Sequence, residues 1–299
     1  MQFRDLCLVI ALMAIWGFNF SMIRLGVTDV DPFIVAAGRF FFAAVPACFF
    51  IRKPTVPWRY LIGYGICFGI GVWGMGLCSI HFGLSSGMAS VLQQADILTS
   101  VLVGAWFYKE KITARLWLSI IVATIGLVFA SIYTNGNVTL MGGVFMLISV
   151  ISWPLAGVIV RQSKTKSVFA FNIWGMVFAP LPLLVLSMVT HGSQVWSYAF
   201  QHWNGNTWLS VLFQAYPTTL LGYWLWNRMI IKYPMSYLAP FTLLVSVFAL
   251  MSGYWIFGET LSPIQWVSCG LFLVGVGLII SPQSSLKKTD KLTDQDVSC

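Results

Sequence analysis

The chain is written as apolar runs of about twenty residues separated by short polar breaks. An apolar helix needs ~20 residues to cross a bilayer. Ten runs qualify, at 6–25, 33–51, 60–80, 84–107, 115–133, 140–160, 168–189, 207–230, 236–257 and 264–281. In hydrocarbon each backbone N–H and C=O must be paired within the protein, so such runs fold as helices. The breaks carry turn chemistry, as in "TDVDP", "KPTVP", "YTNGN" and "HWNGN". Only 9% of residues are charged, against ~25% in soluble domains. The fold class is therefore an all-α integral membrane protein with ten transmembrane helices. The first run continues through Phe20 and Ile23 without a small-residue cleavage site, so it reads as a retained span and not a signal peptide. The polar tail, 282–299, is expected to be disordered and cytoplasmic.

The net charge of +8 does not form a nucleic-acid footprint. With the N-terminus inside the cell, Arg4, Arg52, Lys53, Arg59, Lys109, Lys111, Arg115, Arg161, Lys164, Lys166, Arg228, Lys232, Lys287, Lys288 and Lys291 all fall on the cytoplasmic side. The outer loops hold no cation; Arg24 and Arg39 lie within spans. This bias predicts both termini in the cytoplasm. The six cysteines form no C-x-x-C and read as free thiols.

One phrase occurs twice. "FYKEKITARLW" at 107–117 and "IFGETLSPIQW" at 256–266 share a frame, with Glu110 matching Glu259 and Trp117 matching Trp266. Only the first carries cations. Five spans separate the copies, so a duplicated half inserts upside down and its outward copy sheds the basic residues. A second echo sets Trp16 eight residues before Arg24 and Trp153 eight before Arg161. The expected organisation is two inverted five-helix repeats, 1–134 and 138–281, as in many transporter folds.

"WGFNF" in the first span, "GRFFFAAVPA" in the second and "FGETLSPIQWVSCGLFLVGVGLII" at the end resemble the EamA family of the drug/metabolite transporter superfamily. The likeness spans nearly the whole chain. Within the family, "WGFNFSMIRLGV", "RFFFAAVPACFFIRKPTVPWRYLIGYG", "FGLSSGMASVLQQA" and "YLAPFTLLV" are most similar to bacterial exporters of cysteine and O-acetylserine. The chain departs from those exporters at Asp96, where they have a second glutamine after the one matched by Gln94, and at Pro154 after Trp153. The resemblance implies secondary export of small metabolites, amino acids or their derivatives, across the bacterial inner membrane without a cofactor. Other members of similar sequence carry drugs and other metabolites.

Two ionisable groups lie inside the predicted spans, where charge is costly and marks pathways. Arg39 is about six residues into the second span, roughly 9 Å below its outer boundary at 1.5 Å per residue. It can attract a substrate carboxylate or snorkel to a structural hydrogen bond. Asp96 is about twelve residues into the fourth span, near the midplane. A carboxyl reached by water from alternate sides can load and release a proton, so Asp96 is the proton-coupling candidate; a fixed hydrogen-bond partner is the other reading. Ser86, Ser90, Gln93, Asp96 and Ser100 would form one helix face, with Gln94 at its edge. Gln93 and Gln94 suit a cavity wall. Asn19 could bond substrate or cap a broken helix. Trp16, Trp153, Tyr223 and Trp224 are deep aromatics that either pack or line a cavity. Gly65 and Gly69 could serve close helix packing or bending.

Enzyme chemistry has no constellation here. His81, His191 and His202 fall in predicted outer loops, and neither H-E-x-x-H nor a P-loop occurs. Without an ATP motif, transport is expected to draw on a proton or substrate gradient. A channel would need a selectivity motif, which is absent.

Overall fold

The computed structural model describes residues 2–108, 138–232 and 239–280, together with parts of 117–129. Among the described residues every regular element is helical. In chain order these are α1 (Phe3–Val27), α2 (Pro32–Cys48), α3 (Trp58–His81), α4 (Ser86–Gln93), α5 (Ala95–Tyr108), α6 (Leu140–Ser163), α7 (Val168–His191), α8 (Gln194–His202), α9 (Gly205–Phe213), α10 (Gly222–Lys232), α11 (Leu243–Phe257) and α12 (Pro263–Ile280). Helical turns also occur within 117–129. Among the described residues four apolar helical stretches are long enough to cross a membrane: α1, α3, α6 and α7, the last with a turn at 177–179. Glu110, its neighbouring cations and the tail lie outside the described residues.

The polar breaks work as caps, giving the exposed first N–H groups of each helix an oxygen to bond. Asp31 accepts from Phe33 N at 2.9 Å and Ile34 N at 3.2 Å, ahead of α2 and with Pro32 at its first position. Thr139, Ser167 and Asn204 do the same for α6, α7 and α9. Lys164 (φ 51°) ends α6 and Gly258 (φ 63°) ends α11 in the left-handed conformation.

Four local expectations are corrected. The fourth predicted span is not one helix; it breaks at Gln94, between α4 and α5. The break interrupts the polar stripe: Ser90 bonds its own backbone at Gly87 O, and Ser86 turns to Glu259. Asn19 caps nothing, because α1 runs unbroken past it. Residues 194–202, expected as loop, form the short helix α8, polar along one side. Trp224 is 44% exposed and borders an apolar groove, so it is not packed in the core. Helix α6, by contrast, continues through Pro154.

The halves do not each surround a core of their own. Helix α1 packs on α9 and α11; α6 packs on α3 and α5; α2 packs on α7. A single core joins Phe33, Phe40, Tyr64 and Met88 of the first half to Met146, Phe171 and Met176 of the second. Small residues permit the approach. A Cβ on Gly65 would sit 2.4 Å from Gly175 O, and one on Gly69 would sit 2.4 Å from the Ala179 Cβ. The G-x-x-x-G of α3 is thus a packing face against α7.

Two helices carry widened π turns in matching places. In α3 the π segment is Cys67–Gly74, following nine residues of α-helix. The other is Gln214–Leu221, following the nine residues of α9. A π turn shifts the hydrogen-bond register and frees backbone groups. Each segment has a carbonyl met by the opposite half: Ser149 Oγ donates to Val72 O at 2.7 Å, and Trp16 Nε1 donates to Thr218 O at 3.1 Å. Other breaks meet across the halves too. Gln94 Nε2 donates 2.8 Å to Thr242 O, which ends the 3-10 turn Ala239–Thr242 before α11.

A buried guanidinium between two widened turns

Arg39 is fully buried. Its Nε donates to Thr219 Oγ1 at 3.2 Å, and Thr219 Oγ1 donates to Gln214 O at 2.7 Å, both within the second π segment. Its face lies 3.7 Å from the ring centre of Trp73, in the first π segment, and 5.6 Å from that of Phe40. Neither Nη1 nor Nη2 has a hydrogen-bond partner among the described residues. Burying a guanidinium costs several kcal/mol. One hydrogen bond from the charged guanidinium returns roughly 1.5–3 kcal/mol, and a desolvated cation–π contact ~2 kcal/mol. The residues around Arg39 still leave two forked donors free.

Aromatic rings surround this point. Phe68 stacks on Tyr64 at 5.0 Å and lies 5.8 Å from Trp153 and 6.2 Å from Tyr223. Trp153 also meets Trp73 at 6.5 Å, and Trp16 meets Tyr223 at 6.3 Å. Arg39, Trp16, Trp153 and Tyr223, chosen from separate spans, therefore share one neighbourhood.

The remaining candidates divide. Asn19 is 1% exposed, and its Oδ1 has no partner among the described residues. Gln94 is engaged by Thr242, as above. Gln93 lies 3.1 Å from Ser149 Oγ. In that contact Gln93 presents Oε1, and its Nε2 has no partner among the described residues. Asp96 stands in the first turn of α5, half-buried. Among the described residues no ion pair joins it to Arg39.

Phe68, Trp73, Gln214, Thr218 and Thr219 were not anticipated. Only "QAYPTT", polar residues in the middle of an apolar run, signalled the last three. The ends of the bundle hold two further contacts. Glu259 accepts from Ser86 N, Ser86 Oγ and Gly87 N at 2.8–2.9 Å and pairs with Arg24. At the other end of α1, Asp5 pairs with Lys232. Glu259 thus caps the first N–H groups of α4. Arg39 lines neither of two apolar grooves of about 470 and 300 Å³, the first lined by Pro46, Phe50, Phe169, Leu220 and Trp224, the second by Ile34, Leu184, Trp196 and Trp203.

Ionisable groups buried among apolar membrane helices are rare and usually mark substrate or ion paths. The sequence profile of the EamA-like transporter family matches twice, over residues 4–132 and 140–281. This chain is an EamA-like transporter. It is a carrier of small molecules and not an enzyme. A Salmonella typhimurium protein called "Probable amino-acid metabolite efflux pump" is 30% identical over 282 residues, covering 92% of this chain and 94% of its own. The Escherichia coli protein of the same name is 29% identical over the same shares. A solved crystal structure, 15% identical, overlays with a TM-score of 0.61 over 93% of this EamA-like transporter and 96% of its own chain, a likeness of fold alone.

Proposed function

We propose that this protein exports amino acids or closely related metabolites across the bacterial inner membrane by alternating access, with Arg39 binding the substrate carboxylate. The observation that carries this reading is the unpartnered pair of guanidinium nitrogens, buried between the two π segments. A carboxylate matches that fork with two parallel hydrogen bonds. The surrounding rings suit the apolar part of a small zwitterion. The names of the Salmonella and Escherichia coli relatives agree with this substrate class.

The reading includes ten spans in two inverted repeats, 1–134 and 138–281, with both termini cytoplasmic. The matched π segments, the reciprocal carbonyl contacts and the cation count support it. Arg24–Glu259 and Asp5–Lys232 each join one half to the other, at opposite ends of α1. Breaking them in turn would open the centre to one side and then the other. Proton coupling is assigned to Asp96.

An efflux screen in inverted vesicles, with amino acids, thiol metabolites and amphiphilic drugs, tests the substrate. Saturable transport of amino acids supports it; transport of amphiphilic drugs alone overturns it. For coupling, Asp96→Asn at wild-type expression should lose accumulation driven by a pH step while keeping gradient-free exchange. Accumulation that survives the substitution removes Asp96 as the proton carrier.

A further inference from the structure

The unpartnered atoms around Arg39 are of two kinds. Arg39 contributes donors. Gln214 Oε1 and Asn19 Oδ1 are acceptors, each without a partner among the described residues. Both residues are as buried as Arg39, at 0% and 1% exposure. A buried acceptor left unmade is costly, and Gln214 belongs to the same π segment whose Thr219 holds Arg39.

Their placement follows from the contacts of α1. At one end, a Cβ on Gly26 would lie 2.3 Å from Ser210 Oγ. Nearer the other, Trp16 Nε1 donates to Thr218 O at 3.1 Å. Helix α1 therefore runs antiparallel along α9 and the π segment that follows. Asn19 lies between those contacts, opposite Gln214–Thr218. At 100° per residue it falls about 20° from Gly26 and about 60° from Trp16, on the same face. Gln214 is tied to Arg39 through Thr219: Arg39 Nε donates to Thr219 Oγ1, which donates to the Gln214 carbonyl. The Gln214 amide is steadied by Nε2 donating to Ser210 Oγ at 2.9 Å, with Oε1 left unbonded.

We infer that Gln214 and Asn19 form an ammonium subsite, so that this transporter selects zwitterionic α-amino acids over the matching simple acids. The inference rests on Arg39 as the carboxylate anchor. An ammonium carries three donors and no acceptor, the complement of two carbonyl oxygens. The two charged groups of an α-amino acid are close together; Thr219 joins Arg39 to the Gln214 backbone carbonyl, and the Gln214 side chain reaches from there toward Ser210. Gln214 is a specificity residue here, and Arg39 remains the anchor.

The test is calorimetric titration of the purified full-length protein with matched pairs: L-norvaline and pentanoate, L-phenylalanine and 3-phenylpropanoate, O-acetyl-L-serine and 3-acetoxypropanoate. For at least one pair the amino acid should bind roughly ten- to a hundredfold tighter than its des-amino acid, as expected for hydrogen bonds to a charged group. Gln214→Met keeps length and volume but loses the amide. It should reduce the amino acid to the affinity of the des-amino acid and leave the des-amino acid unchanged, which also shows that the variant is folded. Absence of preference in every wild-type pair, or a Gln214→Met variant that weakens both members equally or neither, overturns the subsite. Arg39→Gln tests the anchor separately: it should weaken both members of each pair, and unchanged binding of the des-amino acids would refute the anchor and not the subsite.

Discussion

The two π segments have the same length and the same place in their helices, yet "CFGIGVWG" and "QAYPTTLL" share almost no chemistry. The first is glycine and aromatic rings. It packs tightly, with a Gly69 Cβ position 2.4 Å from Ala179, and offers Arg39 the face of Trp73. The second is amide and hydroxyl, interrupted by Pro217, and offers Arg39 Nε an acceptor in Thr219 Oγ1. A repeated backbone distortion thus serves two ends. One copy supplies an apolar wall; the other supplies polar atoms, two of them, Gln214 Oε1 and Thr218 Oγ1, without partners among the described residues.

If this division is right, the polar segment is built for function at the expense of stability. Gln214→Leu with Thr218→Val should lower amino-acid exchange in proteoliposomes by about tenfold or more, the loss expected when a charged group forfeits its hydrogen bonds. Thermal unfolding in detergent should occur at an equal or higher temperature, because buried groups without partners have been removed. Loss of exchange together with a large drop in unfolding temperature would make the segment structural and erase the contrast.

The apolar segment should behave in the opposite way. Gly65→Leu drives a side chain into Gly175 O and Phe178, two residues before the first π segment. Overpacking of this kind costs ~1–3 kcal/mol. The unfolding temperature should fall, while the KM of the protein that remains folded stays near wild type. A changed KM with unaltered stability would place α3 in substrate selection.

The smallest effects test the symmetry itself. Ser149→Ala and Trp16→Phe each strip the donor from one π carbonyl, Val72 O and Thr218 O respectively. Each should cost roughly 1–2 kcal/mol of stability, measured by unfolding in detergent. Similar costs support equivalent docking of the two segments; a cost at one site alone breaks the equivalence.

The helical membrane class was legible because its signal is long: runs of apolar residues admit few folds. Arg39 was legible because a lone charge in such a run is conspicuous, and Trp16, Trp153 and Tyr223 because they lie deep. The π turns were not, since a widened turn leaves the apolar pattern intact. Nor was the break at Gln94, where neither Gly nor Pro interrupts the helix; "QQAD" reads as ordinary helix. Trp73 looked like any other tryptophan of α3 until Arg39 from another helix was set over it. The pairing of Arg24 with Glu259 was hidden by a separation of 235 residues. Both ends had been noticed, one as a leftover cation and one as half of a repeated phrase.

The central claim is that one guanidinium, held between an aromatic and a polar break, reads the substrate carboxylate. Counterflow of a labelled amino acid into proteoliposomes carrying wild type, Arg39→Lys or Arg39→Gln, with reconstitution matched, tests it most directly. Lys keeps the charge but not the planar fork, so exchange should persist with a raised KM. Gln removes the charge and should raise KM by an amount equivalent to ~2–5 kcal/mol, leaving no measurable exchange at ordinary concentrations. Exchange by Arg39→Gln with the wild-type KM would contradict the account.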